Sequence, residues 1–123
     1  MNILLLNGSM RGNSSSSLKI AEAFVRGIVE ELGEDNTKVT KVNLRDAHIE
    51  HCYGCFCCWK LKKGECVIRD DMDTIRKQVM EADVIIESFP LYFFGLPSKM
   101  KAFMDRMINF VSEYRAISRS EER

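Results

Sequence analysis

Apolar residues along this chain fall in short blocks whose spacing alternates between two kinds, and the alternation marks out strands and helices. Ile3-Leu4-Leu5-Leu6 is an unbroken apolar run closed by Asn7-Gly8-Ser9, the pattern of a strand buried on both faces. After a serine-rich turn, Ile20, Phe24, Ile28 and Leu32 recur close to the helical period, and Gly33 stands where a C-terminal cap belongs. Val39-Thr40-Lys41-Val42-Asn43-Leu44 predicts a second, less apolar strand, which fits a sheet edge. A cysteine-bearing loop follows. Asp70 or Asp71 is placed to cap a short helix carrying Met72, Ile75 and Val79. Val84-Ile85-Ile86 predicts a third strand. Pro97 then suits the first turn of a last helix, whose stripe is Met100, Phe103, Met104, Met107, Ile108 and Val111.

The resulting order, β-α-β-loop-α-β-α, predicts an α/β fold: a parallel sheet with right-handed crossovers and helices on both faces. There are no internal repeats and no linker, so residues 1–117 are expected to form one domain, followed by a polar tail, 118–123. A length of 123 residues suits a single core. Lys+Arg and Asp+Glu number 18 each, and a net charge of zero argues against nucleic acid or an anionic membrane as a partner. The apolar runs are too short to span a bilayer, and the N-terminus lacks a signal pattern; a cytoplasmic location is the expectation.

Two loops carry candidate chemistry. Gly8-Ser9-Met10-Arg11-Gly12-Asn13-Ser14-Ser15-Ser16-Ser17 joins a buried strand to a helix N-terminus, where unpaired N–H groups and the helix dipole favour an anion. Arg11 would add charge-assisted hydrogen bonds. The plainer reading is that the serines cap the helix and Arg11 faces water. The loop has neither G-x-x-x-x-G-K-[ST] nor G-x-G-x-x-G, which excludes a P-loop and a standard dinucleotide turn and leaves a terminal phosphate monoester as the better fit. The second loop, Ser88-Phe89-Pro90-Leu91-Tyr92-Phe93-Phe94-Gly95-Leu96-Pro97, holds four aromatic residues directly after a buried strand. Aromatics in a loop suit a flat ring ligand, although Phe93 and Phe94 could instead pack under the next helix. In a doubly wound, flavodoxin-like sheet of order 2-1-3 these loops lie side by side at the switch point. A phosphate and a ring together describe FMN.

All five cysteines lie between Cys52 and Cys66. Cys52, Cys55, Cys58 and Cys66 are spaced compactly enough to ligate a [4Fe–4S] cluster, leaving Cys57 spare. Tetrahedral zinc, with help from His48 or His51, and reduced thiols forming a regulatory disulfide are the other readings. Trp59 is expected to pack this loop down.

With these residues in view, the chain resembles the NAD(P)H-dependent FMN reductase family of flavodoxin-like fold. The resemblance rests on Leu6–Arg11 with Asn13 and the serines, on Cys52–Trp59, on Gly64–Met72, and on Pro90–Pro97 with Lys99, Phe103, Asp105 and Arg106. It implies that the FMN phosphate is held by Ser9, Arg11, Asn13, Ser14, Ser15 and Ser16, and that the ring lies against Pro90, Leu91, Tyr92, Phe93, Phe94 and Gly95. The cysteine spacing is similar to that of the iron–sulfur flavoproteins of the same fold. The implied function is an oxidoreductase that passes electrons from NAD(P)H through FMN to a quinone, a flavin or an iron–sulfur protein; an electron carrier without nicotinamide chemistry, or a cofactor-free scaffold, are the rivals. No side chain is an evident acid, base or nucleophile, so no catalytic residue is assigned. The family has a five-stranded sheet, and strands four and five are absent from this chain. An open third strand is an aggregation hazard, so the chain is expected to be a fragment, to self-associate, or to have its edge covered by a second chain.

Overall fold

The computed structural model describes residues 1–60 and 64–110; Val111 and the expected tail from Ser118 lie outside them. Strand β1 (Asn2–Asn7) leads through a 3-10 turn (Gly12–Ser14) into helix α1 (Ser16–Leu32). Strand β2 (Lys38–Asn43), the short helix α2 (Cys57–Lys60), helix α3 (Met72–Glu81), strand β3 (Val84–Ser88) and helix α4 (Ser98–Asp105) complete the order.

The sheet has the order β2-β1-β3, all parallel, with Leu4 opposite both Thr40 and Ile85. This is the expected switch point. The continuous apolar run of β1 has the cause inferred from it, because the strand is central and covered on both sides. Leu4 and Leu6 pack with Leu44, Met72, Ile75, Val79, Met100 and Phe103, while Ile3 and Leu5 pack with Leu18 and Val25 of α1. Among the described residues β3 is paired on one side only, and it behaves differently: Ile85 is 41% exposed.

The stripe expected on α1 needs correction. Ile20 and Phe24 are exposed, and the buried face runs through Leu18, Ala21, Val25, Ile28 and Val29. A row spaced strictly by four residues turns about 40° further round the helix at each step, because a turn holds 3.6 residues. Such a row crosses the sheet-facing side once, here at Ile28. Pro97 also sits one residue earlier than expected, before the first turn, where its carbonyl accepts from Lys101 N–H at 2.9 Å. In α4 the stripe holds for Met100 and Phe103, which are buried, but Met104 is exposed.

Candidate functional site

The loop after β1 is built around Asn7, which in the sequence closes a strand and stands within the Leu6–Arg11 stretch. It is fully buried; its Nδ2 donates to the Gly12 carbonyl (2.9 Å) and to Asn43 Oδ1 (3.0 Å), and its Oδ1 accepts from Ser9 N–H (3.2 Å). The loop is thereby folded back on itself and tied to β2. Ser9 and Ser15 are buried within it. Ser9 Oγ accepts from Arg11 N–H, and Ser15 is the N-cap of α1, accepting from Leu18 N–H at 3.4 Å. Asn13 turns toward β2, where its Oδ1 accepts from Lys41 Nζ (3.0 Å) and Asn43 Nδ2 (3.2 Å). Arg11, Ser14 and Ser16 are exposed at the mouth. The six predicted phosphate residues thus divide into three that shape the loop and three that face outward.

Gly12 explains why the loop can close. Its φ of +60° is left-handed, and a Cβ there would stand 2.7 Å from Arg45 Cζ. The Arg45 guanidinium lies flat on this glycine and donates to the Met10 carbonyl at 3.4 Å. Arg45, whose Nε also donates to Asp46 Oδ1 at 3.2 Å, brings to this loop a guanidinium that the linear motif did not contain. It follows the C-terminal end of β2, the strand beside β1, so topology was the signal that could have found it. Gly12→Ala is expected to lower stability by about 1–2 kcal/mol through the left-handed backbone alone, and to displace Arg45; thermal unfolding read beside an FMN titration checks both.

The loop after β3 meets the first loop directly. Gly8 N–H donates to the Ser88 carbonyl at 2.7 Å, and a Cβ on Gly8 would be 2.7 Å from Met100 Cε. Ser88 Oγ is buried without a hydrogen-bond partner among the described residues. Beyond it, Tyr92 and Gly95 exchange two 3.1 Å backbone hydrogen bonds around Phe93 (φ +48°) and Phe94 (φ +63°), a tight turn of the kind that glycine and asparagine favour. Phe93 and Phe94 are 97% and 95% exposed, so neither packs under α4. Pro90 and Gly95 are half-buried, and Leu91 and Tyr92 are exposed. Two left-handed phenylalanines in water combine backbone strain with full exposure.

The cysteine loop is anchored by a buried ion pair. Arg106, in the turn after α4, donates two hydrogen bonds to Asp70, at 2.8 and 3.1 Å, and others to the carbonyls of Glu50 and Ile68. Both side chains are almost wholly buried. Burial acts to raise the Asp70 pKa, but hydrogen bonds from Arg106 and from the N–H groups of Glu50 and Met72 outweigh it and hold the carboxyl below its usual range. Burial likewise acts to lower the Arg106 pKa; the hydrogen bonds to Asp70, helped by the proximity of Cys66, keep it above the ordinary value. Of the two candidate caps, Asp70 accepts from Met72 N–H at the start of α3, while Asp71, at the N-cap position, makes no side-chain cap bond and accepts instead from His48 N–H at 2.6 Å. Trp59 donates its indole N–H to the Ile108 carbonyl at 3.1 Å and contacts Phe56, packing the loop as expected.

All four motif cysteines, Cys52, Cys55, Cys58 and Cys66, line one hollow, walled by Phe56, Ile68, Ile108 and Asn109; Cys57 is not among its lining residues. The five thiols are free. Burial raises the Cys58 thiol, whereas the Cys57 backbone N–H lowers Cys55. Among the described residues no set of three His, Cys, Asp or Glu is already drawn together around a metal position. His48 pairs instead with Glu50, and His51 stacks edge-on with Tyr53.

A model of the NADPH-dependent FMN reductase family matches residues 1–118. The chain belongs to this family. Among its relatives, an iron–sulfur flavoprotein of Archaeoglobus fulgidus is 38% identical over 80% of this chain and 41% of its own length. One from Methanocaldococcus jannaschii is 33% identical over 86% of the chain and 51% of its length. An FMN-dependent NADH:quinone oxidoreductase of Pseudoalteromonas atlantica is 26% identical over 86% and 54%. In solved structures the fold recurs in an FMN-dependent NADH-azoreductase of Bacillus anthracis in complex with FMN, with a TM-score of 0.65, 24% identity and coverage of 88% of this chain and 56% of that one. The chain spans about half the length of the curated relatives it matches. Within the family's shared frame the three-stranded sheet of order 2-1-3 is the flavodoxin-like fold expected from the sequence. No helix among the described residues is long and apolar enough to cross a membrane.

Proposed function

We propose that this chain binds FMN across the loops after β1 and β3 and serves an oxidoreductase that takes electrons from NAD(P)H and gives them to a small-molecule or protein acceptor. The observation that carries this reading is the 2.7 Å hydrogen bond from Gly8 N–H to the Ser88 carbonyl. It fixes the serine-rich loop and the aromatic turn side by side at the end of adjacent strands, where doubly wound sheets hold their ligands.

The residues fit the cofactor. Arg11, Ser14 and Ser16 face outward at the N-terminus of α1, where the first amides lack intrahelical partners and the dipole favours phosphate. Ser9, Ser15 and Asn13 hold that loop in shape, and Arg45 adds a second cation. Pro90–Gly95 offer backbone groups and aromatic faces to the ring, with the buried Ser88 hydroxyl left to satisfy nearby. Bound FMN would supply the hydride acceptance and electron release; the protein binds, orients and shields it. No acid or base from this chain is needed.

The four-cysteine hollow supports a second redox group in the same molecule. Four cysteine sulfurs in one pocket are the donor set of a [4Fe–4S] cluster, and the two archaeal relatives named iron–sulfur flavoproteins make the comparison apt. The open β3 edge favours self-association or cover by a further segment.

An anaerobic absorption spectrum of the purified chain, with iron and zinc assayed and FMN then titrated, tests the reading. Flavin bands that bleach on adding NADPH are expected. A spectrum that stays oxidised with NADPH would leave an electron carrier, and failure to take up FMN at all would sink the proposal. Zinc in place of iron would reassign the cysteines.

A further inference from the structure

The Asp70–Arg106 pair accounts for only part of the Arg106 guanidinium. Nη1 and Nη2 are fully engaged by Asp70 and the carbonyls of Glu50 and Ile68. Nε is buried and has no hydrogen-bond partner among the described residues, although Arg106 is only 3% exposed. A buried donor without a partner has given up its hydrogen bond to water, so it needs a reason. Arg106 lines the hollow that Cys52, Cys55, Cys58 and Cys66 share. Asp70 is not among the lining residues, so the pair stands as a dipole with its positive end at the pocket. Asn109, also buried there, is held by its Nδ2 bond to the Gly64 carbonyl.

We propose that Arg106 is the fixed counter-charge of the four-cysteine pocket, a positioning and tuning residue whose remaining N–H and positive charge favour the reduced state of an iron–sulfur cluster held there. The inference rests on the cluster reading above and extends it to a residue outside the ligand set. Four thiolates on a [4Fe–4S]²⁺ core carry net negative charge, and uptake of one electron from a reductant such as dithionite makes the site one charge more negative. A neighbouring cation stabilises that state more than the oxidised one, and a hydrogen bond to sulfur acts in the same direction.

The test is anaerobic reconstitution of the 123-residue chain with iron and sulfide, followed by redox titration of the cluster absorption. Arg106→Gln is expected to reduce the equilibrium constant for one-electron reduction roughly tenfold, the scale of one hydrogen bond to a charged group. Because that variant leaves Asp70 unpaired and could unfold, the double variant Arg106→Gln/Asp70→Asn removes both charges together. It should keep its circular dichroism and shift reduction in the same direction by less, since only the dipole is lost. A wild-type chain that assembles a cluster while the double variant titrates at the same midpoint overturns the role of Arg106. A wild-type chain that assembles no cluster overturns the cluster reading and this inference with it, and the two failures are told apart by the wild-type spectrum alone.

Discussion

Asp70→Ala is expected to destabilise the chain by about 3–5 kcal/mol, because it strands the Arg106 guanidinium without its partner in a buried site. Two further attachments go with it. Asp70 Oδ2 accepts from Glu50 N–H at 2.8 Å and Oδ1 from Met72 N–H at 3.0 Å, so one carboxylate ties the cysteine loop, the start of α3 and the turn after α4 together. The loss has a defined pH dependence. Asp70 has a lowered pKa in the folded state, against an unfolded value of about 3.9. The native state therefore binds fewer protons, and the stabilisation is fully present above the unfolded value and lost as pH falls through the folded one. Denaturant unfolding of wild type and variant should differ most at neutral pH, begin to converge as pH falls below about 4, and meet only below the folded pKa of Asp70. A gap that stays constant into acid would mean that the interaction lost is packing and not charge.

Replacing Phe93-Phe94 with Asn-Gly is expected to do two opposite things. Both phenylalanines hold positive φ in a turn closed by the Tyr92–Gly95 hydrogen bonds, and a left-handed backbone disfavours an ordinary L-residue by about 1–2 kcal/mol. Asn-Gly adopts that turn with little strain. Part of the gain is offset by the greater freedom of glycine in the unfolded chain, so a net stabilisation of about 1–2 kcal/mol should appear as a higher Tm. FMN affinity should fall several-fold, since the exposed rings no longer face the flavin and an aromatic contact is worth about 0.5–1.5 kcal/mol. A lower Tm would show that the turn is unstrained. An unchanged affinity would place the ring site away from residues 93 and 94. Stability and binding moving in opposite directions is the signature of strain kept for function.

The sequence by itself determined the parallel α/β frame, because Ile3–Leu6 had to be covered on both faces and each element alternated with a helix of the right length. It also located both loops of the candidate cofactor site, since a serine-rich strand-to-helix turn and an aromatic turn after a strand are local signals. The four cysteines were legible as a set for the same reason: their spacing along one loop is written in the chain. Which face of α1 is buried was not legible. Leu18 and Val25 meet the sheet while Ile20 and Phe24 face outward, and only docking against β1 and β3 chooses between two apolar rows. Arg45 on Gly12 was likewise invisible, and Arg106, although among the residues that carry the family resemblance, gave no sign along the chain that it meets the cysteine pocket. Arg45 lies 33 positions beyond Gly12, as the numbering gives, and Arg106 is 36 from Asp70. The chain sets which side chains exist; the crossovers of the sheet decide which of them meet, because charges so distant along the sequence acquire a common environment only when tertiary packing removes the water between them.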